Sequence, residues 1–231
     1  MKPKTMFRRL CIYLTGLLFI SIGIAFCKLS DLGLSPTASV SYVISEVFHT
    51  DLGLCTTLFM LFLMMLEFAI LRREFPIKNL FEIAVSVVFG SLVSLNNRMF
   101  TMLLPPCTSY LQQLLYVVCG CLICGFGMLL YVNANVLTMP TEGFVKAIIH
   151  KTGNMHVSTG KMLLDTTCII FSALFTLACT GLIFGLREGT LICAFGVGFS
   201  MRQFSKKFEN PLQRYLNGQS KGGPRANADY L

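Results

Sequence analysis

Apolar residues gather in six long stretches that short polar connections separate. An α-helix rises about 1.5 Å per residue, so about 20 apolar residues cross the roughly 30 Å hydrocarbon core of a bilayer. The first stretch has this length, and no small-residue cleavage site follows it, so we expect a retained span rather than a signal peptide. The six predicted spans are Leu10–Leu29, Leu54–Leu71, Leu80–Leu95, Leu114–Val132, Met162–Phe184 and Thr190–Phe204.

Two further apolar stretches, Ala38–Phe48 and Gly143–His150, are too short to cross. The eleven residues of the first reach only about 16 Å as a helix, half of the hydrocarbon core. Each stretch follows a proline, Pro36 or Pro140, and proline in the first turn is a helix-start signal. We therefore predict two half-helices that begin at these prolines and do not span the membrane.

Composition supports a membrane location for the chain. Apolar residues make up 54% of it and charged residues only 13%, against about 25% charged residues in soluble domains. The net charge of +8 does not indicate a nucleic-acid partner, because basic residues flank the first and last spans, as they do at cytoplasmic helix ends. The sequence predicts an all-α, polytopic transmembrane bundle in contact with the lipid bilayer.

The distribution of basic residues favours six spans with both termini in the cytoplasm. If the half-helices do not cross, Arg72 and Arg73 after the second span, Lys151 before the fifth, and Lys206 and Lys207 after the sixth all lie inside. If the half-helices crossed, Arg72 and Arg73 would lie outside, against the positive-inside rule.

The two halves of the chain resemble each other. At a spacing of 104 residues, two glycines, an Asp/Asn position and a Pro-Thr pair recur, and at 106 residues a Glu, a Phe-Gly pair and a Ser recur. Three spans per half is an odd number, so the halves would have opposite orientations, as in many secondary transporters. The matched positions are Gly16 and Gly120, Gly23 and Gly127, Asp31 and Asn135, Pro36-Thr37 and Pro140-Thr141, Glu82 and Glu188, Phe89-Gly90 and Phe195-Gly196, and Ser94 and Ser200. The predicted regions are a cytoplasmic N-terminus (1–9), a first three-span repeat (10–104), a second three-span repeat (105–207) and a disordered cytoplasmic tail (208–231).

Polar residues at the two proline turns are the candidate substrate site. A half-helix that begins inside the membrane directs unpaired N–H groups, and the positive end of its dipole, towards the middle of the protein. Two such ends facing one cavity would suit a carboxylate or another anion. The alternative is that these residues are ordinary caps and turns that satisfy their own backbone. The candidates are Asp31, Gly33, Ser35, Pro36, Thr37, Asn133, Asn135, Thr138, Pro140 and Thr141.

Acidic residues inside spans are functional candidates, because a charge within a membrane is costly. Glu67 and Asp165 are candidates for carrying a proton or binding Na⁺. The alternative for Asp165 is an i,i+4 ion pair with Lys161, and for Glu82 we favour such a structural pair with Lys78. The sequence leaves Glu67 and Asp165 open between ion coupling and structural pairing.

No sequence motif indicates an enzyme. The chain contains no Walker loop, no HExxH and no nucleophile elbow, so we predict no enzymatic activity. The three histidines have no partner at metal-ligand spacing, and we predict neither a metal nor another cofactor. Cys121 and Cys124 form a CxxC pair, for which a soft-metal or redox role is the alternative to simple helix packing. Packing is favoured because no second cluster accompanies the pair.

The first span, with its spaced glycines, and the turn Leu32-Gly33-Leu34-Ser35-Pro36 resemble the YczE/YitT-type family of bacterial integral membrane proteins. The resemblance runs from about residue 8 to residue 207 and includes the duplicated layout. It implies a bacterial cell (cytoplasmic) membrane and several helical spans. It implies no particular substrate or catalytic residue.

Together these patterns predict a secondary transporter of a small solute, working by alternating access between two inverted repeats. The helix ends suit an anion. The alternative from another class is a non-transporting membrane protein that anchors or assists a partner protein through its basic tail, and a third is an uncoupled channel. Gly181 and Gly185, at GxxxG spacing, allow a homo-oligomer but do not imply one.

Overall fold

The computed structural model describes residues 3–105, 107–153, 156–182 and 185–217. Regular structure in this part of the chain is helical, apart from one β-bridge between Gly33 and Leu186. Two short 3-10 turns, Arg72–Glu74 and Ile77–Leu80, connect the third and fourth α-helices. The α-helices are α1 (Pro3–Leu29), α2 (Pro36–Val47), α3 (Leu52–Leu71), α4 (Phe81–Leu103), α5 (Tyr110–Ala134), α6 (Pro140–Thr152), α7 (Val157–Thr180) and α8 (Glu188–Asn217).

Five of the described helices are long and apolar enough to cross a membrane, so the chain is a multi-pass membrane protein. These are α1, α3, α4, α5 and α7, which contain most of the first five predicted spans. The sixth predicted span, Thr190–Phe204, lies in α8, which is not among the five. Its 15 residues reach only about 22 Å, and Arg202 lies within them.

The C-terminal part of α8 differs from the predicted disordered tail. The helix continues to Asn217, beyond residue 208, where the tail is predicted to begin. Leu216 is fully buried, and the Arg8 guanidinium lies over the Tyr215 ring at 5.2 Å from its centroid. The end of α8 therefore packs on the bundle, and the prediction of disorder for residues 218–231 lies outside the described residues.

The outer surface of the bundle is apolar. Phe195, Met162 and Met65 expose 77%, 71% and 69% of their surfaces, and many other large apolar side chains are similarly exposed. An apolar exterior of this extent is unfavourable in water and is the surface that lipid chains solvate.

Four glycines hold α1 and α5 in close contact. A Cβ atom on Gly16 would lie 2.9 Å from the Gly127 carbonyl oxygen, and one on Gly127 would lie 2.8 Å from that of Gly16. Gly23 and Gly120 make the same exchange at 2.8 and 2.9 Å. The contacts move along the two helices in opposite directions, so α1 and α5 are antiparallel. We call this contact the glycine seam; no larger residue fits at these positions without separating the helices.

The remaining helices surround this pair. Helix α4 packs on α1 and on α3, and α8 packs on α5. Both short helices, α2 and α6, lie against α3 and α7.

Both short helices begin at the predicted prolines. Helix α2 has 12 residues from Pro36 and α6 has 13 from Pro140, so each is only about 18–20 Å long. The preceding residues, Ser35 and Met139, have ψ angles of 150° and 148°, the extended conformation that a following proline requires. Neither residue caps its helix with its side chain.

Candidate functional site

The second proline turn lies at the end of the bundle where α1 begins. Arg9 Nη1 donates to the Ala134 carbonyl oxygen at 3.4 Å, and Gln213 Nε2 donates to Asn133 Oδ1 at 2.9 Å. We call this the proximal end. It holds the start of α1, the end of α5 and the end of α8.

The first proline turn lies at the other end, where α1 finishes. The Gly189 amide donates to the Leu32 carbonyl oxygen at 3.0 Å, and Lys28 forms an ion pair with Glu46 at 3.2 Å. We call this the distal end. Gly33, at φ 110°, packs here against the segment before α8.

The ten predicted substrate residues therefore form two groups rather than one. Met139 packs in a buried cluster with Tyr13, whereas Leu34 packs in another with Cys27. Tyr13 and Cys27 are 14 residues apart on α1, which corresponds to about 21 Å. The predicted single cavity between the turns is not what the packing shows, because antiparallel α1 and α5 carry their turns at opposite ends.

The proximal group is organised by a tyrosine. The Met139 amide donates to Tyr131 Oη at 2.7 Å, and that hydroxyl donates to Glu142 Oε2 at 2.9 Å. Asn133 Nδ2 donates to the Leu129 carbonyl oxygen at 2.9 Å, as expected for an ordinary helix end. Burial raises the pKa of the Glu142 carboxyl. Pro140 is buried, Thr138 and Thr141 are partly buried, and Asn135 is exposed.

The distal group borders a polar cleft. Of the predicted residues, Asp31 lines this cleft of about 440 Å³. Ser35 and Thr37 are partly buried, and Pro36 is buried. The cleft lies between α1, α4 and α5 and carries charged, amide and hydroxyl groups that a small polar solute could contact. Its lining is Lys28, Leu29, Asp31, Asn97, Thr101, Cys107 and Gln113.

A cluster of buried acidic residues lies behind the proximal turn. Glu67 on α3 and Glu82 on α4 are each 1% exposed. Both reach the first turns of α6, where a Cβ atom on Gly143 would lie 2.5 Å from Glu67 Oε2 and 3.0 Å from both Glu82 oxygens. Asn79 Nδ2 donates to Glu67 Oε1 at 2.6 Å. The two carboxylates and α6 thus form one compact site.

The acidic candidates differ in their surroundings. Asp165 forms the i,i+4 ion pair with Lys161, at 3.0 Å, that was its structural alternative. Glu82 faces Glu67 and α6, whereas the side chain of Lys78, its predicted partner, lies outside the described residues. Glu67 remains a candidate for ion coupling, and Glu82 becomes a second candidate.

Sequence reasoning missed Glu142, Tyr131 and Tyr13 as part of this region. An acidic residue two positions after the proline of a half-helix was the available signal for Glu142. Glu67 lies near the end of α3 and Glu82 near the start of α4, and a short connection joins these helices. The sequence could therefore also have predicted that the two residues lie at the same depth in the bundle. Nothing in the sequence pattern indicates the side on which α6 packs.

The cysteines of the CxxC pair point to different partners. Cys121 Sγ lies 3.7 Å from Cys193 Sγ, which lies 3.6 Å from Cys27 Sγ, whereas Cys124 Sγ approaches the Ile20 carbonyl oxygen at 3.5 Å. All ten cysteines are free thiols. Among the described residues, no group of three His, Cys, Asp or Glu side chains has the geometry of a metal site.

A protein-family model described as a family of unknown function (DUF6198) matches residues 7–206, most of the chain and both of its halves. No curated protein and no solved structure matches the chain. The resemblance to the YczE/YitT-type family stays a prediction, because no comparison links the two by name.

Proposed function

The chain belongs to this family of unknown function, and we propose that it is a secondary transporter of a small solute that works by alternating access. This proposal includes two structural ones. The first is that the chain has six spans, with α8 as the sixth. The second is that its halves are inverted repeats related by a two-fold axis in the membrane plane.

The glycine seam is the observation that carries the proposal. Under the 104-residue spacing, Gly16 corresponds to Gly120 and Gly23 to Gly127. Gly16 touches Gly127, the counterpart of Gly23, while Gly23 touches Gly120, the counterpart of Gly16. A contact in which i meets j′ and j meets i′ is the signature of a two-fold axis. The antiparallel course of α1 and α5 fits halves of opposite orientation.

The other helix contacts exchange in the same way. Helix α1 packs on α4 as α5 packs on α8, and α3 packs on α6 as α7 packs on α2. Helix α8 thus occupies the place of α4, which supports a crossing path for it. The residues before the two turns agree as well, since Asp31 and Asn135 both have left-handed φ angles, 56° and 46°.

The two half-helices suit a gate at each end of the path. Between the turns, Val40 on α2 and Val145 on α6 share a buried apolar cluster with Leu63, Leu164 and Cys168. In the proposed cycle this cluster closes the path between the two turns. Movement of α2 or α6 against α3 and α7 would open the turn at one end while the other stays closed. The proline-turn residues then contact the solute. The N-terminus of α2, whose first turn holds no acidic residue, favours an anion, whereas Glu142 occupies the first turn of α6.

Single-cysteine labelling tests the inverted arrangement. In a background with the ten native cysteines replaced, Ser35→Cys and Met139→Cys should react with an impermeant thiol reagent from opposite sides of the membrane. Leu129→Cys, at a position 1% exposed, is the matched control that should react from neither side. Reaction of both turn cysteines from the same side would mean parallel halves and would remove the support for transport.

Transport itself is tested in proteoliposomes. Uptake of carboxylates and other small anions should depend on the protein and respond to an imposed ion gradient. Absence of flux for every candidate solute, with and without gradients, would contradict the proposal. Fluxes too fast for a conformational cycle would indicate a channel.

The competing hypothesis, that the protein acts by binding a partner through its tail, is tested by truncating the chain after Asn217. Cutting after Glu209 would also remove Leu216, which is fully buried, and would damage the fold. A transporter should keep its activity without residues 218–231, whereas a protein that acts through this tail should lose its partner.

A further inference from the structure

Two carboxylates face each other inside the proximal end of the bundle. Glu67 and Glu82 come from consecutive helices and meet at Gly143 on α6. A Cβ atom at residue 143 would lie 2.5 to 3.0 Å from three of the four carboxylate oxygens. Three helices therefore converge on the pair, and α6 approaches this closely because residue 143 has no side chain.

Among the described residues, the pair has one hydrogen-bond donor for its four oxygens. Asn79 supplies one donor, to Glu67 Oε1. Glu67 Oε2 and both Glu82 oxygens are buried, and no described group donates a hydrogen bond to them. Ionised carboxylates only accept hydrogen bonds, so two of them side by side repel and leave these oxygens unsatisfied. One proton turns one carboxyl group into a donor to the other and removes one charge.

The described charged groups around the pair do not neutralise it. Lys146 and Glu142 on α6 act electrostatically on the pair, and Tyr13 on α1 faces Glu82. Lys146 is exposed, so solvent screens its charge. Lys161 also acts on Glu142, but it is already paired with Asp165 at 3.0 Å. Among the described side chains these two ammonium groups do not balance the carboxylates of Glu67, Glu82 and Glu142, which leaves a demand for a further positive charge at this site.

We infer that Glu67 and Glu82 hold one shared proton, and that its exchange couples a proton gradient to the movement of α6. The inference rests on the transporter function proposed above and names its coupling ion. With α6 docked, the proton is held between the carboxyl groups. When α6 moves away, water at the proximal end accepts the proton and hydrates the two carboxylates. A metal ion fits less well, because hard cations take six or more oxygen ligands and the pair offers three unpartnered ones.

Infrared difference spectroscopy tests the proton without any solute. The full-length protein in lipid should show the carbonyl-stretch band of a protonated carboxylic acid, and this band should vanish reversibly as the pH rises. Glu67→Gln and Glu82→Gln should each abolish the titrating band, because the amide supplies the donor that the proton otherwise supplies. Asp165→Asn is the matched control that leaves the band in place, since Asp165 already has an ionic partner.

The outcomes separate this inference from the transporter function. Loss of the band in both variants supports the proton site even if no solute is found. A band that persists in both variants, or that sodium ions remove at constant pH, overturns the site. Solute flux without a titrating band would keep the transporter and remove its proton. Size-exclusion profiles that match the wild type establish that each variant is folded.

Discussion

The proximal carboxylate site differs in chemistry from the site at the distal end that the proposed repeat places opposite it. Gly143 corresponds to Ser39 at 104 residues, Glu67 to Ser172 at 105, and Glu82 to Glu188 at 106. At the distal end, Ser39 Oγ and Ser172 Oγ are 3.3 Å apart, and both residues are fully buried. The spacing of 105 also separates Leu52 and Val157, the first residues of α3 and α7.

The difference lies in what each pair needs to be stable. A hydroxyl group both donates and accepts, so two serines satisfy each other without a proton. Glu188 lies at the surface, where its side chain is 61% exposed and Arg187 is 3.6 Å away. A buried acidic pair occurs at the proximal end, and the serine pair that the proposed repeat matches to it is neutral. We therefore expect proton coupling at the proximal end alone, although the proposed cycle moves both half-helices.

The largest expected effect comes from neutralising the acidic pair. Glu82→Gln should abolish proton-driven accumulation of solute while solute exchange at equal pH continues, because the gate no longer needs a proton. Glu188→Gln, at the equivalent distal position, should change neither. Flux measurements in proteoliposomes with and without a pH gradient check this, and equal losses in the two variants would remove the distinction between the ends.

Substitutions at equivalent positions of the glycine seam should have equal effects on stability, unlike substitutions at the acidic site and its distal counterpart. Gly23→Ala and its counterpart Gly127→Ala should each lower the free energy of unfolding by about 1–3 kcal/mol, since each Cβ meets backbone within 3 Å. Gly198→Ala is the control, because a Cβ there meets nothing within 4 Å. Unfolding in mixed detergent micelles measures all three. A large effect in one seam variant alone would contradict the two-fold relation.

The helix caps provide a smaller contrast between the halves. Asp51 caps α3 by accepting from the Gly53 and Leu54 amides at 3.0 and 3.3 Å, whereas His156, 105 residues later, makes no side-chain cap to α7. Asp51→Ala should cost about 1 kcal/mol of unfolding free energy, and His156→Ala should cost much less.

The cost of Asp51→Ala should depend on pH. Partial burial alone would raise the pKa of Asp51, but hydrogen bonds from Ser94, the Leu54 amide and Arg98 outweigh it and lower that pKa. The stabilisation is present above the unfolded-state pKa, about 4, and is lost as the pH falls through the lower folded-state value. Unfolding curves in which the cost stays constant through this range would contradict the assignment.

The smallest effect belongs to the distal serines. Ser172→Ala should lower the unfolding free energy by about 0.6 kcal/mol, typical of a hydrogen bond between membrane helices. The loss should be the same at acidic and neutral pH, because no group in this pair titrates. A pH-dependent loss would mean that the distal site also carries a proton.

The sequence predicted the elements of this fold better than their contacts. Hydropathy located the five long helices, and Pro36 and Pro140 marked the starts of the half-helices, since each signal is local. Helix α8 was harder, because its apolar part is short and charged residues follow. The proposal that α8 crosses the membrane rests on packing and on charge distribution rather than on hydropathy.

The site was less predictable, because its geometry depends on contacts between distant parts of the chain. Lys78 is one helical turn from Glu82 in sequence, which favoured a local ion pair that the described side chains do not test. The contact of Glu82 with Gly143, 61 residues away, could not be predicted from local spacing. The two turns were expected to share a cavity because both carry polar residues and a proline. Only the antiparallel packing of α1 and α5 separates them.

The glycine seam also bears on how the protein assembles. A self-complementary seam is what two copies of one half would form as a homodimer, and here the halves are tied by the short connection between Leu103 and Tyr110. The tether turns a bimolecular encounter into an intramolecular one with a high effective concentration. Pairing of the halves is therefore independent of the amount of protein made, and the two halves are always present in equal number.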